Sequence, residues 1–212
     1  MPDSDKPRPN QADATRPDGS ESTSQPPGLE RVAPWRHGPW TVLTRQEMYR
    51  DPWVSLVRDN VLRPDGNPGT YCVVTLKPGV TVLALDQDNH VHLTQEFHYG
   101  VGRVTLEAVS GGCDGDEQPL VTAQRELREE LGLRAGTWTH LGTVDPFTAN
   151  VVSPTQLYLA EDLELGTAQP EGTEVIERIV ISLEEAVERV FRSEISHAPS
   201  CEAILRTAWR RR

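Results

Sequence analysis

Gly111–Leu133, GGCDGDEQPLVTAQRELREELGL, is the stretch on which the fold of this 212-residue chain turns. Glu126, Glu129 and Glu130 stand at i, i+3 and i+4. On an α-helix that spacing puts all three carboxylates on one face, with Cβ atoms about 5–6 Å apart. Like charges so placed cost stability unless a cation joins them, and a hard cation such as Mg²⁺ takes oxygen ligands of this kind. Spacing alone leaves a metal cluster and a solvated acidic face equally open.

The rest of the stretch supports a helix and a loop before it. Pro119 suits the first helical turn, where a missing N–H costs nothing, with Gln118 as a weak N-cap. Leu120, Ala123, Leu127 and Leu131 recur near the helical period and predict an apolar face. Gly132 stands where a C-cap needs positive φ. Gly111, Gly112 and Gly115 make the preceding loop, whose backbone can approach phosphate or metal closely. Arg125 lies four residues before Glu129 and within reach of Glu117 across the loop.

Written as spacing, the stretch is Gly111, five residues, Glu117, seven residues, Arg125-Glu126-Leu127, one residue, Glu129-Glu130, one residue, Gly132-Leu133. It resembles the Nudix box, G-x5-E-x7-R-E-U-x-E-E-x-G-U with U aliphatic, at every defined position. The resemblance to Nudix hydrolases implies an α/β fold: an α/β/α sandwich with a mixed sheet. It implies Mg²⁺ or Mn²⁺ held by Glu126, Glu129, Glu130 and the backbone carbonyl of Ser110. Gly111, Glu117, Arg125 and Gly132 then hold the loop–helix geometry. The implied chemistry is cleavage of a nucleoside diphosphate linked to another moiety, with the cation neutralising the diphosphate and acidifying a water.

Around the box the chain divides into residues 1–30, 31–76 and 77–212. The first 28 residues contain six prolines, and only Met1, Ala12 and Ala14 are apolar. Such a segment cannot bury enough surface to offset its ordering entropy, and a disordered tail is expected. It has no apolar core of a signal peptide, and no stretch of the chain is long and apolar enough to span a membrane. Three cysteines, Cys72, Cys113 and Cys201, lack metal-ligand spacing and read as reduced thiols of a cytoplasmic protein. A net charge of −11 repels polyanions, so no nucleic-acid partner is expected. A small nucleotide substrate is expected instead, with a local cation to receive its phosphates.

Residues 31–76 read as a small N-terminal β region: VSLVRDNVL (54–62) and TYCVVTL (70–76) are strand candidates around the turn RPDGNPG (63–69). The region resembles the N-terminal β-domain through which ADP-ribose pyrophosphatases dimerise, and a homodimer is implied. There an aromatic often stacks on the adenine; Trp35, Trp40, Tyr49 and Trp53 are the candidates, against a reading as hairpin core.

VTVLALD (80–86) and HVHLTQEF (90–97) predict a hairpin in which His90 and His92 share a solvated strand face. QEFHYGVGRVTLEAVSGG (95–112) is similar to the family stretch Q-Y-R-x-P…E-x-P-A-G. Glu107 matches its glutamate, His98 stands where arginine is usual, and Val109-Ser110 replace Pro-Ala. The resemblance makes Glu107, Arg103 and His98 substrate contacts.

Beyond the box, TWTHLGTVD (137–145) and TQLYLAED (155–162) read as strands joined by a loop, 146–154, and VIERIVIS (175–182) as another strand. The acidic segment 164–174 supplies Glu171 and Glu174, one of which the resemblance makes the catalytic base, with Glu129 as the alternative. Ser182 and Glu185 form a capping box opening a helix with Leu183, Ala186, Val187, Val190 and Phe191 on one face. A last helix starts near Pro199-Ser200 and runs to Trp209. Most like the ADP-ribose pyrophosphatase branch, the chain has two rival readings: a Nudix hydrolase of another nucleotide, such as a dinucleoside polyphosphate, or a non-catalytic nucleotide sensor. Retention of every box glutamate weighs against the sensor.

Overall fold

The computed structural model describes residues 34–167 and 175–212. In chain order the strands are β1 (Trp35–His37), β2 (Trp40–Arg50), β3 (Val54–Leu62), β4 (Pro68–Leu76), β5 (Gly79–Leu85), β6 (His90–His98), β7 (Arg103–Glu107) and β8 (Val109–Gly112). Helix α1 (Pro119–Leu131) follows, then β9 (Leu133–Val144), β10 (Val151–Val152), β11 (Thr155–Leu165), β12 (Glu177–Ser182), α2 (Leu183–Phe191) and α3 (Ala198–Arg210).

The larger sheet runs β12-β6-β5-β11-β9, with β7 paired to β6 and β8 to β5. It is mixed: β11 is parallel to β5 and antiparallel to β9. β5 explains why helices cover both faces. Its residues Val80, Val82 and Ala84 pack with Ala123, Leu127 and Leu131 of α1. The alternate residues Leu83 and Leu85 pack with Ala186 of α2 and with Ala203 and Ile204 of α3. A strand apolar at nearly every position has to be buried on both sides. The result is an α/β/α sandwich, as the resemblance implies. Leu127, fully buried, contributes about 1.5–3 kcal/mol by removal from water.

The smaller sheet has the order β1-β2-β3-β4-β10. The turn before β4 uses Gly66 at φ 82°, and β3 spans the residues expected of it. The sheet does not close within residues 31–76, however. β10, inside the stretch read as a plain loop, adds in parallel to β4, with Val151 opposite Val74. Two residues are too short for a periodic signal, so the strand has no signature in the sequence.

Other expectations are corrected. Leu120 is partly exposed, and Thr122 is buried in its place beside Ala123, Leu127 and Leu131. Phe191 is largely exposed at the last position of α2. Tyr49 and Trp53 are exposed rather than hairpin core. His92 does not lie on a solvated face: its side chain is largely buried, with Nε2 3.2 Å from Asp86 Oδ2. Burial lowers its pKa below the usual imidazole value, although the Asp86 hydrogen bond and charge oppose this. Among the described residues no helix is long and apolar enough to cross a membrane.

Candidate active site

The site is built where β8 ends and α1 begins. Pro119 opens the helix, Gln118 is its N-cap without a side-chain bond, and Gly132 closes it at φ 65°. The Gly132 N–H donates to Arg128 O at 3.0 Å. α1 is thus fixed at both ends by backbone chemistry legible in the sequence, and Ala123, Leu127 and Leu131 fix its rotation against β5. That rotation turns Glu126, Glu129 and Glu130 to the half-buried side of the helix.

Arg125 ties this face to the preceding loop. Its Nη1 lies 2.9 Å from Glu126 Oε1 and 3.0 Å from Glu129 Oε2. Its Nη2 donates to Glu117 Oε2 at 3.2 Å and to Gly112 O at 3.3 Å. Burial alone lowers the Arg125 pKa, but the hydrogen bonds to Glu117 and Glu129 and the charge of Glu126 outweigh it and raise the value. Arg125 therefore stays cationic. Its hydrogen bond, followed by that from Thr122 Oγ1, holds the Glu117 carboxyl below the usual range. Lys77 reaches the loop from the other side, 2.5 Å from Asp114 Oδ1.

The residues fit a hard divalent cation in type: three carboxylates share one helix face, beside a backbone carbonyl. A Cβ on Gly111 would fall within 2.6 Å of Glu126 Cγ and closer still to its carboxylate. Only glycine lets Glu126 lie against the β8 backbone beside Ser110. Among the described residues no three His, Cys, Asp or Glu side chains already surround one point. The Glu126 and Glu129 carboxylates are turned to Arg125 instead, and a cation held by them would share those oxygens with the guanidinium.

Glu107 and His98 meet, whereas Arg103, opposite His98 in the β6–β7 register, makes its side-chain bond elsewhere. His98 Nε2 is 3.4 Å from Glu107 Oε1, and Thr105 Oγ1 donates to the same oxygen at 2.7 Å. Arg103 is exposed and donates to Ser196 Oγ at 2.8 Å. Sequence reasoning missed His197, whose Nδ1 lies 3.1 Å from Glu107 Oε2. Ninety residues separate the pair, and no motif carries it. Glu171 and Glu174 lie outside the described residues.

A cavity of about 530 Å³ lies away from the carboxylates, in the smaller sheet. It is lined by Trp40, Arg45, Asp59, Tyr71 and residues 148–152, which include β10. Trp40 and Tyr71 meet edge to face at 5.5 Å. The buried Asp59 accepts two bonds from Arg45, at 2.8 and 2.7 Å. Of the four aromatics singled out above, Trp40 is the one on this wall.

Residues 75–200 match the NUDIX domain family, and residues 40–74 match the nucleoside diphosphate sugar hydrolase N-terminal domain. The chain is similar to the ADP-ribose pyrophosphatase of Mycobacterium tuberculosis, 32% identical over 71% of this chain and 74% of the relative. It is similar also to the ADP-ribose pyrophosphatase of Bacillus subtilis, 26% identical over 76% and 89% of the two chains. Among solved structures, an ADP compounds hydrolase superimposes with a TM-score of 0.69 at 20% identity, over 80% of this chain and 92% of that one; at that identity the likeness speaks for the fold. Because the match over residues 75–200 takes in the larger sheet, the loop and α1 together, more than half of the chain, this protein belongs to the Nudix family.

Proposed function

We propose that the protein hydrolyses the pyrophosphate bond of a nucleoside diphosphate sugar, ADP-ribose or a close analogue, releasing a nucleoside monophosphate and a sugar phosphate. The observation that carries this is the intact Gly111–Leu133 box, with the three glutamates on one face of α1 and Gly111 yielding its side-chain space to Glu126. The match of residues 40–74 to the sugar-hydrolase N-terminal domain supports the substrate class.

Glu126, Glu129, Glu130 and the Ser110 carbonyl would hold the metal, Mg²⁺ or Mn²⁺. When bound, it supplies positive charge to the diphosphate and acidifies a water. Arg125 and Glu117 keep the loop and helix in register. Glu107, His98 and Arg103 contact the substrate. The Trp40–Tyr71 cavity is the proposed place for the nucleobase, its edge-to-face ring pair being a stacking wall. The catalytic base that takes the water's proton comes from Glu171 or Glu174, since a carboxylate shared with cations is a poor base; Glu129 is the alternative. Exposed Met48 and Tyr49 on β2 and Trp53 in the turn after it supply apolar area for a homodimer, which sedimentation analysis checks.

The test is turnover of a panel of nucleotide sugars and dinucleoside polyphosphates with Mg²⁺ and with Mn²⁺. Glu126→Gln and Glu130→Gln are expected to lower kcat by about 100-fold or more, the loss of several kcal/mol of charge stabilisation, with the fold retained. Glu171→Gln with Glu174→Gln is expected to do the same without weakening metal binding. Wild-type turnover in the first pair sinks the ligand set; in the second it moves the base to Glu129.

A further inference from the structure

Ala108 is the single residue between β7 and β8, and it belongs to neither ladder. β7 pairs with β6 as far as Glu107, and β8 pairs with β5 from Val109. Ala108 is 1% exposed, and a buried N–H without a partner is costly. The partner comes from α3. Ser200 lies in the first turn of that helix, is itself fully buried, and accepts the Ala108 N–H at Oγ, 2.9 Å away. The Ala108 carbonyl accepts from Ser110 Oγ at 3.0 Å, and Ser110 Oγ lies 3.0 Å from Thr81 Oγ1 on β5.

A serine hydroxyl has two lone pairs and one proton. One lone pair takes the Ala108 N–H. The hydroxyl is also 2.8 Å from His197 Nδ1, where it donates or accepts according to the tautomer of the ring. The bond to Ala108 is the same in either case.

The corner at Ala108 matters because of the strand it starts. The Cys113 N–H donates to Pro78 O at 2.8 Å. Pro78 and Cys113 thus face each other as a hydrogen-bonded antiparallel pair, and such pairs alternate with open ones. Down the register, Gly79↔Gly112 is therefore open, Val80↔Gly111 bonded and Thr81↔Ser110 open. The Gly79 N–H agrees, since it donates away from β8, to Pro154 O at 2.9 Å. In an open pair the carbonyls turn away from the partner strand. Gly112 O, so turned, accepts from Arg125 Nη2 at 3.3 Å. Ser110 O leaves the same edge of β8 two residues earlier, and Glu126 packs over the intervening Gly111.

We propose that Ser200 is a positioning residue of the metal site: by taking the Ala108 N–H it fixes the corner from which β8 presents the Ser110 carbonyl beside Glu126. The proposal rests on the reading of that carbonyl and the α1 glutamates as a metal site. Ser200 touches neither metal nor substrate in it.

Mn²⁺ alone, titrated into the full chain without substrate and followed by the paramagnetic resonance of the free ion, reads the site without turnover. Ser200→Ala leaves the Ala108 N–H bare and is expected to weaken Mn²⁺ binding about tenfold, as loss of a partner supporting a ligand does. Ser200→Cys keeps the size with a weaker acceptor. It is expected to fall between the two, and it carries the test if Ser200→Ala does not fold. Ile204 is fully buried on the same helix, so Ile204→Val loosens α3 without touching the corner. It is expected to lower the melting temperature and to bind Mn²⁺ as wild type does. Amide hydrogen exchange at Ala108 is expected to speed up more in the serine variants than in Ile204→Val. Wild-type Mn²⁺ affinity in both serine variants overturns the proposal, and so does an equal loss in Ile204→Val. If wild type binds no Mn²⁺, or Glu126→Gln binds it unchanged, the metal reading fails first and takes the proposal with it, while exchange at Ala108 still decides the hydrogen bond.

Discussion

Gly111 and Glu126 depend on each other. The glycine's missing side chain is the volume into which the Glu126 side chain packs. Gly111→Ala would push a flexible side chain rather than backbone, so the fold is expected to survive. The carboxylate, however, has to leave the β8 backbone. Affinity for Mg²⁺ is therefore expected to fall by about 10–100-fold, as when a supporting partner of a ligand is lost, with little change in melting temperature. Metal titration of activity beside a thermal melt checks this, and an unchanged metal requirement would show that Glu126 need not sit there. Arg125 works at the same scale. Its bonds to Glu117, Glu126 and Glu129 make it an internal counter-ion for the acidic face. Arg125→Lys cannot reproduce a planar fork shared among three carboxylates, and it is expected to cost both stability and turnover, read by urea unfolding and kcat.

Helix α2 shows how much an element depends on its cap. Ser182 Oγ accepts from the Glu185 N–H at 3.1 Å, with Glu184 and Glu185 in the first turn. Ser182→Ala is expected to destabilise the protein by about 1 kcal/mol, measured by denaturant unfolding; turnover should not change, because α2 packs on the face of the sheet opposite α1. Leu120 and Phe191 mark where helical period misleads. Each lies at the apolar spacing but at a helix end, the first at the second residue of α1 and the second at the last of α2. A helix that meets a twisted sheet leaves it at its ends, so spacing holds in the middle turns and fails at the margins. β10 is the opposite case, a strand made by β4 rather than by its own two residues.

The whole molecule's response to acid follows from groups buried in different places. His92, at the β5–β6 hairpin, and His197, at the start of α3, both have pKa values lowered chiefly by burial. Each fold environment favours the neutral ring. Their contribution to stability is present above the unfolded histidine value of about 6.5 and is lost as pH falls through the lower folded values. Glu117 and Asp114, held down by Arg125 and Lys77, contribute above the unfolded carboxylate range and lose that contribution only in stronger acid. Urea midpoints are therefore expected to fall in two stages between about pH 8 and pH 3. His92→Gln combined with His197→Asn should flatten the first stage alone; an unaltered first stage would place its origin elsewhere.

The sequence by itself determined the parts whose causes are local. The Nudix box, the span of α1, its proline start and glycine stop, the Ser182 cap and most strands depend on spacing, φ preference and alternation within a few residues. The three glutamates on one helix face were legible for the same reason. Tertiary structure alone decided what joins distant segments. It placed β10 beside β4 and brought His197 to Glu107 across ninety residues. None of these has a sequence period, because each arises where two separately folded surfaces meet, and the packing of α3 against the sheet fixes that meeting more than any residue near Glu107 does.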